Sequence, residues 1–343
     1  MLTTILSGGL IGLIFGFILQ RTRFCMTGGF RDMYIARNNT LFYAFLIAIT
    51  VESIGVLSLI KLGIIGNPYE EFSVLGAIVG SYLFGIGIVL AGGCATGTWY
   101  RAGEGLLGSG VALFFYMTSA AAMKSGFLVP LNQLIAKRWV INDDLAGQLG
   151  IPVWYFLVFL VAITSFVVIR ELRKPRRQIA SLPSKYKGVR HYLFEKTYHK
   201  YFAGLLIGLV AFIAWPASQL TGRVGGLGIT TPSAHLISYI ITGDSKQLGW
   251  GVFLVLGIFL GSFLAAKGSR EFRWRLPDLP TIAKSTLGGI FMGIGASWAG
   301  GCTIGNGLTA TAIFSSKGWI ALPVTILGVW TASYIIFVKP NKN

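Results

Sequence analysis

The amino-acid sequence predicts an all-α polytopic membrane protein with about nine transmembrane helices, short re-entrant or broken helices, and two inverted repeats. Three observations carry that prediction. Hydrophobic residues make up 54% of the chain and charged residues 12%, with a mean hydropathy of +0.69; a soluble domain carries roughly 25% charged residues. Apolar stretches recur at 2–20, 41–60, 74–91, 105–123, 151–169, 201–215, 248–266, 285–299 and 318–338, and a spanning helix needs about 20 mainly apolar residues. Finally, GIGIVLAGGCATG at 85–97 returns as GIGASWAGGCTIG at 293–305.

The first stretch, 2–20, reads as a retained span, because basic residues follow the apolar run instead of preceding it as in a signal peptide. The longest polar stretch is about thirty residues, which makes 1–343 a single transmembrane domain. Its repeats run over 1–125 and 201–338: GLIGLIFG at 9–16 echoes GLLIGLVAF at 204–212, and glycine-bearing breaks follow at 20–32 and 221–235. An extra span at 151–169 and a basic loop at 170–200 join them. An odd number of spans between the repeats inverts one relative to the other, and inverted repeats set a binding site near the midplane at broken helices.

The net charge of +17 is concentrated, with 10 of 29 Lys and Arg between Arg170 and Lys200. Short basic loops mark the cytoplasmic side and meet anionic lipid headgroups. The charge is therefore read as a topology signal and not as a nucleic-acid surface. Arg270, Arg273 and Arg275 are expected on the same side.

Gly92-Gly93 and Gly300-Gly301 end apolar runs, each followed by a cysteine and a threonine: Cys94 with Thr96, Cys302 with Thr303. A helix that breaks there leaves unpaired backbone groups, which membrane depth tolerates only along a cavity or against protein. The short helix beyond would offer N–H groups to an anion. The three cysteines, 69 and 208 residues apart, form no disulfide framework or CxxC motif. Taken singly each packs as a small hydrophobe, but the shared phrase points Cys94 and Cys302 toward a sulfur-lined passage. A polarizable thiol suits a sulfur- or selenium-containing solute better than a hard oxyanion.

Charged residues near the breaks carry two readings each. Arg31 beside Cys25, and Arg101 with Glu104 after Cys94, either attract an anion or anchor the chain at a headgroup boundary; Arg21 and Arg37 read as anchors. Glu52, inside an apolar run, either has a buried partner such as an arginine from the Cys25 break or couples protons. His235 reads as a satisfied histidine and not a metal ligand. No Walker loop, HExxH or nucleophile elbow is present, so no enzyme activity, cofactor or metal is expected.

RFCMTGGFRD around Cys25, AGGCATGTWYRAGEG around Cys94 and AGGCTIGNGLTA around Cys302 resemble the YeeE/YedE family of sulfur-transport membrane proteins, and within it the YeeE-type thiosulfate uptake proteins. The resemblance covers most of the chain. It implies a bacterial inner-membrane transporter with inverted repeats, a thiosulfate path through Cys25, Cys94 and Cys302, and a small TusA-like sulfur-carrier protein as partner. Three alternatives stay open at this point: a membrane sulfurtransferase that forms a persulfide, at Cys25 among its arginines; a carrier of another sulfur or selenium species; and a three-thiolate soft-metal carrier.

Overall fold

A computed structural model describes residues 1–173, 188–196 and 198–342. Of the basic loop expected on the cytoplasmic side, residues 174–187 and 197 lie outside the described residues. The described residues are mostly helical, with almost no strand. The first half contains α1 (Leu2–Thr22), α2 (Met26–Ile35), α3 (Thr40–Lys61), α4 (Val74–Leu90), α5 (Ala95–Gly103), α6 (Leu107–Ser125) and α7 (Val129–Ala136). Next come α8 (Leu145–Leu149), α9 (Val153–Leu172) and α10 (Val189–Phe194). The second half contains α11 (Lys200–Gln219), α12 (Thr230–Thr242), α13 (Trp250–Gly268), α14 (Leu279–Trp298) and α15 (Ser316–Ser333). Two short strands, β1 (Glu71–Ser73) and β2 (Val140–Asn142), pair antiparallel with Phe72 opposite Ile141.

Each of the nine apolar stretches forms a helix. Among the described residues seven helical segments are long and apolar enough to cross a membrane. An eighth, α6 with α7, bends by 72° at its break. The ninth, α14, has 20 residues but a lower hydropathy, because it presents Ser285, Gly288, Gly289, Gly293 and Gly295 to its neighbours. Small residues bring membrane helices together where lipid supplies no hydrophobic drive. The protein is a multi-pass membrane protein.

Close packing is exchanged between the halves. Gly8 and Gly12 of α1 lie against the carbonyls of Trp250 and Leu254 on α13; Gly204 and Gly208 of α11 lie against those of Ala44 and Ala48 on α3. The echo between 9–16 and 204–212 thus marks two equivalent contacts, each between one half's first helix and the other half's third. In the same way Gly293 of α14 meets the Tyr116 carbonyl on α6, and Gly85 of α4 meets the Thr325 carbonyl on α15.

The turn after α1 also has its counterpart after α11. Arg23 N–H donates to Gln20 O at 3.2 Å and Phe24 N–H to Leu19 O at 3.2 Å; Gly222 N–H donates to Gln219 O at 2.9 Å and Arg223 N–H to Ser218 O at 3.3 Å. Both turn residues are left-handed, Arg23 at φ 51° and Gly222 at φ 81°. Glycine accepts that conformation freely, whereas a residue with a Cβ resists it.

Two faces emerge. Lys200 Nζ donates to Thr22 O at 2.7 Å, and Arg275 N–H donates to Gly105 O at 3.1 Å. The end of α1, the α5–α6 corner, the start of α11 and the α13–α14 loop therefore share one end. The β1–β2 pair, Asp143 and the start of α15 gather elsewhere: Asp143 accepts from Ser315 Oγ at 2.6 Å and from Lys317 N–H at 2.8 Å. The joining span, α9, packs on α3 through a Thr50–Thr164 hydroxyl contact at 2.9 Å. Its remaining surface exposes Tyr155, Val158, Phe159 and Phe166, an apolar face suited to lipid.

Candidate functional site

Gly92 and Gly300 end α4 and α14 at φ 68° and 70°, the left-handed exit that glycine supplies. Each cysteine then starts a new turn: the carbonyls of Cys25, Cys94 and Cys302 accept from the N–H groups of Gly29, Thr98 and Asn306, at 3.0, 2.8 and 2.8 Å. Cys25 caps α2 and Cys94 caps α5, where its Sγ accepts from Gly97 N–H at 3.4 Å. After Cys302 the chain forms a π-helical turn, Gly305–Ala310, where a short α-helix is expected. Within this turn the Asn306 amide folds back to donate to Ala299 O at 2.8 Å and Gly301 O at 3.3 Å.

All three thiols are free and buried, at 5%, 4% and 2% exposure for Cys25, Cys94 and Cys302. A Cβ placed on Gly97 would stand 3.5 Å from Cys94 Sγ and 3.9 Å from Cys25 Sγ, so both sulfurs flank one point of the α5 backbone. Cys94 is near enough to Cys25 and to Cys302 to interact electrostatically with each. The hydroxyl of Tyr116, fully buried on α6, reaches Cys302 and Cys94 electrostatically and donates to Thr230 Oγ1 at 3.0 Å. Among the described residues no three His, Cys, Asp or Glu side chains converge as a metal site.

A cavity of about 490 Å³ opens beside Cys302. Gly300, Gly301 and Cys302 form part of its wall, with Arg223, Asn306 and Lys317 among the polar lining. The 225–229 loop forms another part, and three of its successive carbonyls are occupied: Gly225 O by Ser218 Oγ, Gly226 O by Arg223 Nη1 at 2.9 Å, Leu227 O by Thr309 Oγ1 at 3.0 Å. Arg223 lies over the Trp250 ring at 5.4 Å. Lys317 Nζ sits 3.8 Å from Asp143 Oδ2, and Tyr69 donates its hydroxyl to Ile313 O at 2.8 Å nearby. Burial pushes the Asp143 carboxyl above its usual range, against the opposing pull of Lys317 and the Ser315 hydroxyl.

The sequence-derived residues divide. Cys94 follows Gly92-Gly93 and Cys302 follows Gly300-Gly301 at opposite ends of the antiparallel α4–α14 contact, and Cys25 lies beside Cys94 across Gly97. Thr96 and Thr303 are buried beside the cysteines, and their hydroxyls have no partner among the described residues. Arg101 lies at the site: Nη1 donates to Gly92 O, Nε to the Tyr100 hydroxyl at 3.4 Å, and the guanidinium faces Cys25 and Cys94. Glu104 instead accepts from Arg23 at 2.5 Å at the end of α5. Arg31 stands apart, paired with Asp32 at 3.1 Å over the Phe337 ring.

Two other expectations meet a different outcome, those for Glu52 and Arg21. Glu52 is fully buried, but its partner is an indole and not an arginine: Trp215 Nε1 donates to Oε1 at 3.0 Å. Arg21 is no headgroup anchor, since it is 7% exposed and lies 3.6 Å from Glu271. His235 lines the cavity. Sequence reasoning missed Tyr116, Arg223, Asn306 and Lys317. Only Arg223 carried a local signal, a lone cation between glycines in the second-half break.

The chain matches the family described as sulphur transport over residues 21–331. It is 53% identical to the thiosulfate transporter TsuA of Escherichia coli (strain K12) over 343 residues, covering 100% of this chain and 97% of the relative. It is 34% identical to the thiosulfate transporter TsuA of Spirochaeta thermophila, covering 96% and 98%. A shorter match, 43% identity over 96 residues, joins 28% of the chain to 23% of the probable transporter YedE of E. coli.

Proposed function

The chain belongs to the YeeE/YedE sulphur-transport family, and on that premise we propose that it takes up thiosulfate across a bacterial inner membrane through a path of three cysteines. The full-length relatives carry the name of thiosulfate transporters and not of enzymes. The observation that carries the reading is the set of three free thiols at three separate chain breaks, with Cys302 on a cavity wall and Cys94 near enough to interact electrostatically with it and with Cys25.

The chemistry follows from the ion. Thiosulfate has oxygens at one end, suited to guanidinium, ammonium and backbone N–H groups, and a terminal sulfur at the other. Arg223 and Lys317 supply positive charge at the cavity, and the occupied carbonyls of the 225–229 loop leave its N–H groups to meet oxygen. The thiols of Cys302, Cys94 and Cys25 then make successive weak S–H contacts with the terminal sulfur, while Arg101 balances charge between the last two. Weak repeated sites let an ion both bind and leave, the requirement for conduction. No bond to sulfur forms.

The two repeats are inverted in this reading, which is supported by the exchanged contacts of Gly8, Gly12, Gly204 and Gly208. The end bearing Arg270, Arg273 and Arg275 faces the cytoplasm by the excess of basic residues. A TusA-like sulfur carrier receiving the ion would dock there.

Uptake of sulfur-labelled thiosulfate into proteoliposomes tests the reading. Saturable uptake that a thiol reagent blocks, with sulfate a poor competitor, is the expected result. Absence of uptake in sealed vesicles, with a stable mass increment of one sulfur on Cys25, would replace it with a sulfurtransferase.

A further inference from the structure

Close in sequence to Cys25 stands a cluster of charges that the cysteine reading does not use. Arg23 donates Nη1 to Glu104 Oε2 at 2.5 Å and Nη2 to Glu271 Oε2 at 2.7 Å. Gln20 Nε2 donates to the same Glu271 oxygen at 2.9 Å, and Arg21 lies 3.6 Å away. The three elements joined are the turn after α1, the corner after α5 and the loop after α13, so the cluster bridges the two halves. It stands two residues from Cys25.

The repeat exposes what is unusual about Arg23. The equivalent turn after α11 has the same hydrogen bonds and the same left-handed residue, but there the residue is Gly222. The backbone favours glycine at both positions. Arg37 and Arg270 take this conformation too; at Arg23 side-chain contacts hold it, as strain of this kind persists where surrounding contacts over-determine it. Those contacts are the two carboxylates.

Arg101 shows the same asymmetry. It lies seven residues after Cys94 and donates to the Gly92 carbonyl, capping the first-half break. Seven residues after Cys302 stands Thr309, on the wall of the open cavity. One mouth is therefore open at Cys302 and the other is covered at Cys94 and Cys25. The cover is also incompletely satisfied: Gln20 Oε1, Arg21 Nε and Glu104 Oε1 are buried without partners among the described residues.

We propose that Arg23 is the inner anion site of the path, and that Glu104 and Glu271 occupy it as tethered substitutes when no substrate is present. The proposal rests on the cysteine path above. A guanidinium fork binds carboxylate and sulfur oxyanion with the same bidentate geometry. An oxyanion leaving Cys25 displaces Glu271, whose side chain is 40% exposed against 5% for Glu104. Arg23 then releases the α13–α14 loop, and the mouth opens only while an anion is present to replace the carboxylate. Free leakage of other solutes is avoided without a large rearrangement of the spans.

Accessibility of Cys25 tests this independently of transport. The purified protein in detergent is treated with a membrane-impermeant maleimide, and mass spectrometry follows labelling at each cysteine. Arg23→Gly suits the left-handed turn, as Gly222 does, and should unfold no earlier than the wild type. It is expected to raise the Cys25 labelling rate about tenfold, the ratio that about 1.4 kcal/mol of opening free energy gives. Cys302 labelling should stay within about twofold of wild type by the same scale. Glu271→Gln should give an intermediate rise at Cys25. An unchanged Cys25 rate in both variants overturns the proposal, and so does a parallel rise at Cys302, which would mean general loosening. Neither result depends on whether thiosulfate is the ion carried.

Discussion

Gly87 and Gly295 occupy the same place in the two copies of the repeated phrase, and they meet the same atoms on opposite helices. A Cβ at Gly87 would stand 2.7 Å from Met292 N and 3.0 Å from Gly288 O; one at Gly295 would stand 2.6 Å from Phe84 N and 2.7 Å from Gly80 O. The pairs 84/292 and 80/288 are themselves separated by the 208 residues of the repeat. α4 and α14 therefore pack antiparallel about a local two-fold relation, and the breaks that carry Cys94 and Cys302 extend from the ends of this one joint.

Gly87→Ala and Gly295→Ala should each destabilise the protein, by about 1–3 kcal/mol, because the added methyl faces backbone that cannot yield locally. The two losses should be similar. Thermal unfolding in detergent checks this; a neutral outcome at either position would contradict the symmetric joint. Gly9, which has open space around it, serves as the control.

Cys94→Ser and Cys302→Ser should abolish most thiosulfate uptake while leaving the fold intact. Serine keeps the donor and nearly the size of cysteine but lacks the polarizable sulfur. Cys94 also accepts from Gly97 N–H, which a serine oxygen at the N-cap does at least as well. Folded yield and uptake measured together separate the two effects. Uptake at wild-type rates in both variants would remove the thiols from the path.

Arg101→Lys should lower uptake by about tenfold, and Arg101→Ala by more. Lysine keeps the charge but cannot reach the Gly92 carbonyl and the Tyr100 hydroxyl at once, as the planar guanidinium does. The loss should appear in the maximal rate as well as in the concentration for half-saturation, since the group both caps the break and faces two cysteines. Uptake kinetics in proteoliposomes decide this.

Glu52→Gln should retain uptake, whereas Glu52→Ala should lose folded protein. The glutamate holds Trp215 Nε1 at 3.0 Å, and no ion-pair partner stands beside it among the described residues. Trp215 is itself part of the cavity wall. An amide of the same shape preserves the accepted hydrogen bond, while alanine strands a buried indole N–H. Loss of uptake in a well-folded Glu52→Gln variant would instead assign the carboxyl to proton coupling.

The placement of the cysteines was legible because glycine pairs and a repeated phrase are local signals. A Gly-Gly pair ending an apolar run marks a helix break in any context, and duplication marks equivalence at any distance. Nine apolar stretches likewise announced nine helices, since a spanning helix must satisfy its own backbone and carry an apolar surface. Local rules of this kind do not fix the fate of a charged side chain. Arg31 and Arg101 look alike in sequence, each six or seven residues beyond a cysteine, yet one pairs with its neighbour Asp32 and the other caps a break.

Consecutive residues alone mark this chain as a membrane protein, repeat one cysteine phrase 208 residues apart and place a glycine-bearing break at each thiol. Periodicity, glycine and hydropathy act over one or two turns, and they are written in consecutive residues. Only the packed helices put Cys302 on a cavity wall and pair Arg23, two residues from Cys25, with Glu104 and Glu271. Those partners are separated by 81 and 248 residues, and they meet because the α1–α13 and α4–α14 joints bring the two halves into register. A long charged side chain takes whichever partner the assembled helices present, so its role is settled only when they have packed.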